Sequence, residues 1–239
     1  MLILPGAFFL IVILLAVLPA VLLMLYVYKY DTYEKEPVRL LFQLILLGVL
    51  AAFLSMILES IGQKILSLAP LDSSDPRYII LFAFLVVALV EEGMKYLLMH
   101  RRVWKLKDFD YRFDGIVYAA FASLGFAAME NIMYVMGFGL SVVLSRALLA
   151  IPAHMSFSVV FGVFYGRARQ LANAGYHRAS RMNILLGFAI AVFFHGFYDS
   201  CAMIGTVFSM LLFMLFMIVI YATVFFVVKS ESRTNTRIR

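Results

Sequence analysis

Met203-Ile-Gly-Thr-Val-Phe-Ser-Met-Leu-Leu-Phe-Met-Leu-Phe-Met-Ile-Val-Ile-Tyr-Ala-Thr-Val-Phe-Phe-Val-Val228 contains no Asp, Glu, Lys, Arg or His. At about 1.5 Å of rise per residue, a helix of this length exceeds the roughly 30 Å of hydrocarbon in a bilayer. The run is apolar on all sides, whereas a membrane barrel strand alternates polar and apolar residues. A spanning helix is the reading that leaves no backbone group unpaired in lipid. Working back toward the N-terminus, similar runs lie at about 2–28, 38–58, 77–99, 115–137, 141–165 and 183–200. Charged linkers separate most of them, and a tight turn containing Gly137 and Gly139 separates 115–137 from 141–165. Asp75 followed by Pro76 is a helix-start signal, a capping carboxylate and then proline in the first turn.

The expectation is an all-α, polytopic transmembrane bundle of about seven spans. Residues 1–228 form one transmembrane domain, and 229–239 form a short basic cytoplasmic tail expected to fray. Bulk composition agrees. Of 239 residues, 64% are hydrophobic and 14% charged, against about a quarter charged in soluble domains. The N-terminal run has no preceding basic region and is too long for a signal peptide, so it reads as a retained helix. Cys201 is the single cysteine, which excludes an internal disulfide and any multi-thiolate site.

The linkers after the first, third and fifth spans, together with the tail, hold sixteen Lys and Arg; the opposite linkers hold only Lys64 and Arg77. Basic residues near span ends stay cytoplasmic, so the N-terminus is expected outside and the C-terminus inside. The net charge of +6 is then a matter of topology, and no nucleic-acid partner is implied.

Eight ionisable groups remain inside the expected spans: Glu91, Glu92, Lys95, Glu130, Arg146, His154, His195 and Asp199. Each costs about 2.5 kcal/mol or more to insert at membrane depth, so such groups face a bundle interior and mark function. Lys95 follows Glu91 by four residues and Glu92 by three, which places all three on one helix side. His195 and Asp199 are four apart, a spacing that lets a carboxylate orient an imidazole. Arg146 and His154 lie on one side of the fifth span, with Pro152 loosening the helix just before His154. The bland readings are that Lys95 neutralises its carboxylate neighbours, Arg146 pairs with Glu130 across the 137–141 turn, and Asn131 cross-links helices. The first, second and seventh spans read as scaffold or lipid-facing.

Two hydrolytic chemistries suit this set. In one, a carboxylate takes a proton from water, a histidine assists, and other donors stabilise the oxyanion formed at a peptide carbonyl. In the other, Glu and His hold a zinc ion that activates the water. No His-Glu-x-x-His pair is present. The alternative is a proton-coupled membrane transporter using the same Glu, His and Asp side chains. Such folds often show paired broken helices or inverted repeats, whereas the sequence signals one break, at Pro152, and an odd span count.

Three motifs occur in order: Glu91-Glu92-Gly-Met-Lys95, Phe126-Ala-Ala-Met-Glu130 followed by Asn131, and His195-Gly-Phe-Tyr-Asp199. With Arg146-Ala-Leu-Leu-Ala-Ile-Pro-Ala-His154 between the last two, the chain resembles the PrsW family of intramembrane proteases, distant relatives of the type II CAAX prenyl endopeptidases. Tyr30–Pro37, Tyr111–Tyr118 and Gly162–Arg169 add non-catalytic similarity, so that the resemblance covers about 31–200. It implies a multi-pass protein of the bacterial cell membrane that cuts a membrane-anchored, single-pass protein near the outer face, with an anti-sigma factor as the described kind of substrate. Glu91, Glu92, Glu130, His154, His195 and Asp199 would be catalytic, with Glu91 favoured as base, and Lys95, Asn131 and Arg146 supporting. A zinc ion, if one is held, would take Glu130, His154 and His195. The CAAX relatives carry a histidine in the second motif where this chain has Glu130, which leaves His154 to replace the lost imidazole.

Overall fold

The structure, a computed structural model, describes residues 5–238, with side chains from Leu10 onward. Residues 2–4 of the first expected span, and Arg239, lie outside the described residues. Seven helical rods follow one another. They are α1 (Pro5–Tyr30), α2 (Val38–Leu66), α3 (76–103), α4 (Asp114–Phe138), α5 (Leu140–Asn173), α6 (His177–Ile204) and α7 (Val207–Arg233). Among the described residues the extended structure is limited to one isolated bridge, Tyr111 with Arg237. Six rods are long and apolar enough to cross a membrane; α3 is the exception, since its second half carries Glu91, Glu92, Lys95 and a basic end.

The bundle sets its charged groups inside a largely apolar core and leaves apolar side chains facing outward. Leu14 and Leu25 on α1, and Val207 and Phe226 on α7, are exposed, while Glu91, Glu92, Lys95, Asn131, His154 and His195 are buried. This distribution suits a hydrocarbon solvent, in which apolar side chains lose nothing by facing outward. At the centre α4 packs against α1, α2 and α5, and α5 in turn against α6 and α7. Close approach of α2 to α4 depends on glycine. A Cβ at Gly48 would collide with the Ala122 backbone, and one at Gly125 with that of Ile45, the small-residue contact by which membrane helices bring their backbones together.

Several helices run further than the apolar runs that announced them. The α2 helix continues through Glu59 to Leu66, α5 through Arg167 and Arg169 to Asn173, and α7 to Arg233. Two more turns of α2, through Leu66, occupy the first part of the 59–77 stretch. The start of α3 is as the sequence signals, with Asp75 Oδ1 accepting the Arg77 N–H at 2.8 Å and Pro76 in the first turn.

The tail is tied down, contrary to the expected fraying. Arg112 N–H donates to the Thr236 carbonyl at 3.1 Å, Phe113 N–H to Asn235 Oδ1 at 3.0 Å, and Arg237 pairs with Asp110 at 2.9 Å. Beside it two of the three non-catalytic stretches of the resemblance meet, Tyr118 Oη donating to Glu36 Oε1 at 2.8 Å. The other oxygen of Glu36 is buried without a partner. Burial pushes the Glu36 carboxyl up to about 8, with the carboxylates of Asp31, Asp108 and Asp110 adding to the rise. A carboxyl raised in the fold contributes stability that is complete below its unfolded value and lost as pH rises through its folded one. The thermal midpoint in detergent is therefore expected to fall as pH rises from about 5 to about 8 and then to level off, and Glu36→Gln to flatten that slope.

Candidate active site

Two of the seven rods are irregular, one just before Glu91 and the other just before His154. In α3 the segment Phe82–Ala88 is π-helical, with Leu89 N–H bonded to the carbonyl of Phe84, five residues back. In α5 the segment Arg146–Ala150 is π-helical, with Ile151 N–H bonded to the Arg146 carbonyl. The second break has a visible cause, because Pro152 has no N–H for the Leu148 carbonyl and its ring crowds that position. Tyr221 on α7 answers the deficit, its hydroxyl lying 3.0 Å from the Leu148 carbonyl and 2.7 Å from that of Leu149. Tyr221→Phe leaves those carbonyls unsatisfied and is expected to destabilise the protein by about 1–3 kcal/mol, measurable as a lower unfolding midpoint in detergent. The first break, at Phe82–Ala88, carries no sequence signal and adds to the single one expected. Wide turns of this kind occur often at functional sites.

Glu91, Glu130, His154, His195 and Asp199, from four rods, line one cavity of about 370 Å³. Glu92 and Lys95 stand immediately behind it, beside a second void of about 20 Å³ that Ser158 also lines. The cavity lies toward the end of the bundle opposite the tail, where Glu59, Tyr134, Phe138 and Met203 complete its wall. All six expected catalytic side chains and their three supporting residues thus meet in one place.

Their contacts separate the roles. Glu92 Oε1 accepts from Lys95 Nζ at 2.6 Å and lies 2.9 Å from His195 Nδ1. An oxygen already serving an ammonium has no proton to give, so His195 donates Nδ1–H to it. The other ring nitrogen, Nε2, then faces Asp199 Oδ2 at 3.3 Å and Glu91 Oε2 at 3.8 Å. Both of those carboxyl oxygens are buried and without a hydrogen-bond partner. His154 lies 2.9 Å from Glu130 Oε2 through Nε2 and 3.3 Å from Lys95 Nζ through Nδ1. The two imidazoles are edge to face, 5.2 Å between centroids, and Phe157 stacks on His195 at 5.3 Å. Ser123 and Ser158 both donate to the His154 carbonyl at 3.0 Å, holding the backbone beside the ring.

Arg146 pairs with Glu130 at 2.7 Å, donates from Nε to Asn131 Oδ1 at 2.9 Å, and lies over the Tyr134 ring at 3.8 Å. Asn131 donates in turn to the Ala16 carbonyl of α1 at 2.7 Å. Arg146 and Asn131 therefore brace Glu130 and link α1, α4 and α5. Lys95 lies 3.5 Å from Glu91 as well and 4.3 Å from the Phe126 ring, so it neutralises the paired carboxylates.

Glu91, His154 and His195 each offer one ligand atom within 4.8 Å of the others. A glutamate with two histidines and room for a fourth ligand is a hydrolytic zinc donor set. The expected trio had Glu130 in the place of Glu91. Among the described residues the donors that close are those of Glu91, His154 and His195, while Glu130 is engaged by Arg146 and His154. The lone pair of His195 Nε2 facing two unpartnered carboxyl oxygens calls for a proton or a cation between them, so the residues fit a metal ion. Glu59 and Tyr198 were missed by the sequence reading. Glu59 had a signal, the spacing Ala52, Met56, Glu59 on one face of α2, each of which lines the cavity.

Comparison with known proteins agrees with this geometry. The profile described as "PrsW family intramembrane metalloprotease" matches residues 36–228. Protease PrsW of Geobacillus kaustophilus is 36% identical over 183 residues, 77% of this chain and 76% of the relative. Protease PrsW of Bacillus subtilis is 31% identical over 201 residues, 83% of this chain and 87% of the relative. No solved structure matches the chain. With a profile spanning most of its length and a buried Glu/His/His cluster among apolar helices, the chain belongs to the PrsW family of intramembrane metalloproteases and is a multi-pass bacterial membrane protease.

Proposed function

We propose that the protein is an endopeptidase that cuts a single-pass membrane protein, of the anti-sigma-factor kind, close to the outer face of the membrane. The observation that carries this is the buried, unpartnered Glu91 Oε2 at the cavity wall, in ligand range of His154 and His195. The excess of basic residues in the linkers at the tail end supports an outside location for the opposite end, toward which the cavity lies. All seven rods are taken as spanning, with α3 tolerated because its charges face inward.

Glu91 takes a proton from water, whose oxygen bonds to the peptide carbonyl carbon as the carbonyl oxygen becomes an oxyanion. The carbon–nitrogen bond then breaks and the proton passes to the departing nitrogen. His195 is held by Glu92 through Nδ1 and, protonated at Nε2 beside Asp199, faces the developing charge, and His154, braced by Glu130, stands where the proton is handed on. If a zinc ion is held, Glu91, His154 and His195 are the residues that would hold it; Glu91 would then serve as a ligand and not as the base, and the ion would supply a Lewis acid and a bound water with its pKa lowered to about 7. Burial of the cluster keeps bulk water from screening these charges.

Co-expression with a panel of tagged single-pass membrane proteins tests the reading. Wild type is expected to release a discrete fragment from at least one of them, and Glu91→Gln none. Ion or solute flux in vesicles with no fragment from any panel member would instead identify a carrier.

A further inference from the structure

Five carboxyl groups belong to the buried cluster and its cavity: Glu59, Glu91, Glu92, Glu130 and Asp199. Two fixed cations oppose them, Lys95 and Arg146. A divalent ion at Glu91, His154 and His195 would still leave one carboxylate in excess. Glu59 is the one with nothing to answer it. It belongs to neither the ligand trio nor any motif, and α2 brings no other charge to the cavity. Its Oε1 is buried with no hydrogen-bond partner, and among the described residues it has no ion-pair partner. Arg77, one of the two basic residues at that end of the bundle, is held by Asp75 at 2.7 Å. Arg146, the cation on the cavity wall, is already shared by Glu130, Asn131 and Tyr134. An unsolvated carboxylate oxygen facing a cavity in apolar surroundings is expensive unless a donor or cation arrives.

We propose that Glu59 is a specificity-determining residue that receives a basic side chain, Lys or Arg, of the substrate on the outer side of the scissile bond. The inference rests on the protease reading above. A cavity of about 370 Å³ is on the order of 10 Å across, and an extended chain advances 3.3–3.6 Å per residue. The basic residue therefore lies within about three positions of the cut. Nothing in this role requires Glu59 to touch the reacting atoms; it sets register and affinity, so its effect falls on KM more than on kcat.

The test varies each of the three residues outside the cut in a protein that wild type cleaves, to Lys, Gln or Glu in turn. At one position Lys is expected to raise kcat/KM about tenfold over Gln, through KM, and Glu to lower it. In Glu59→Gln the Lys-to-Gln ratio falls to about one, and in Glu59→Lys the order inverts so that Glu is preferred, an outcome that mere loss of packing does not give. A second measurement does without cleavage. Synthetic spanning peptides with Lys or Gln at that flank are titrated against purified Glu91→Gln protein, where Lys is expected to bind about tenfold tighter, and against Glu59→Gln/Glu91→Gln, where the advantage disappears. Cleavage indifferent to charge at all three positions, or a Lys preference that survives Glu59→Gln, overturns the inference while leaving the protease intact. Charge-selective binding that depends on Glu59, with no fragment from any substrate, overturns the protease reading and keeps the site.

Discussion

Glu91→Gln is expected to abolish cleavage, with kcat falling about 10³-fold or more while the protein still folds. A positioned general base contributes about 10²–10⁴-fold, and the amide keeps the shape of the side chain while removing its basicity. Glu91 is the carboxylate with a free, buried oxygen facing the cavity, and its one ion-pair contact with Lys95 is a long one at 3.5 Å. Glu92 is different. Its Oε1 serves Lys95 at 2.6 Å and His195 at 2.9 Å, so Glu92→Gln strands a buried ammonium and frees an imidazole. Breaking a buried pair by removing one partner costs about 3–5 kcal/mol. Loss of folded protein is therefore the expected outcome there, visible as a lower yield and a lower unfolding midpoint in detergent. The two variants exchange these phenotypes if the base has been misassigned. Stable, inactive Glu92→Gln beside an active Glu91→Gln would sink the assignment.

The helices and the site were unequally legible in the sequence, for physical reasons. Spans can be read because the bilayer demands long apolar runs, and Glu91, Glu130, His154, His195 and Asp199 can be read because charge inside such runs has few excuses. Composition, however, marks where hydrocarbon ends rather than where a helix ends. That is why α2 continued past Leu58 and carried Glu59 into the cavity, and why α5 kept its hydrogen bonds through Arg167 and Arg169. Spacing along one helix shows which residues share a face, so the kinship of Glu91, Glu92 and Lys95 was accessible. Which oxygen remains unpartnered depends on side chains from other helices. That the three donors closing within 4.8 Å of one another include Glu91, while Arg146 and His154 engage Glu130, depends on how the helices pack and not on spacing along any one of them. The π-helical turn at Phe82–Ala88 lacks any proline to announce it. The tail looked frayed because its partners at Asp110, Arg112 and Phe113 lie more than a hundred residues away in the chain.

His195→Ala is expected to remove any bound zinc and to lower activity by about 10³-fold or more, and the two losses should occur together. A ligand set of two imidazoles and one carboxylate loses its closure when one ring is deleted, since Glu91 and His154 alone leave two positions to solvent. Asp199→Asn separates this from general damage. Its oxygen lies 3.3 Å from His195 Nε2, on the cation-facing side of the ring and outside the trio, so loss of its negative charge should weaken metal binding, with the ion still retained at saturating zinc. Metal analysis of purified wild type, His195→Ala and Asp199→Asn beside a cleavage assay gives the answer. One zinc per wild-type chain, absent from His195→Ala and recoverable in Asp199→Asn, identifies the cation that the facing lone pairs require. Wild type that is metal-free and fully active after chelation puts a proton there instead, with His195 as an imidazolium donating to Asp199 and Glu91 acting as base without a Lewis acid beside it.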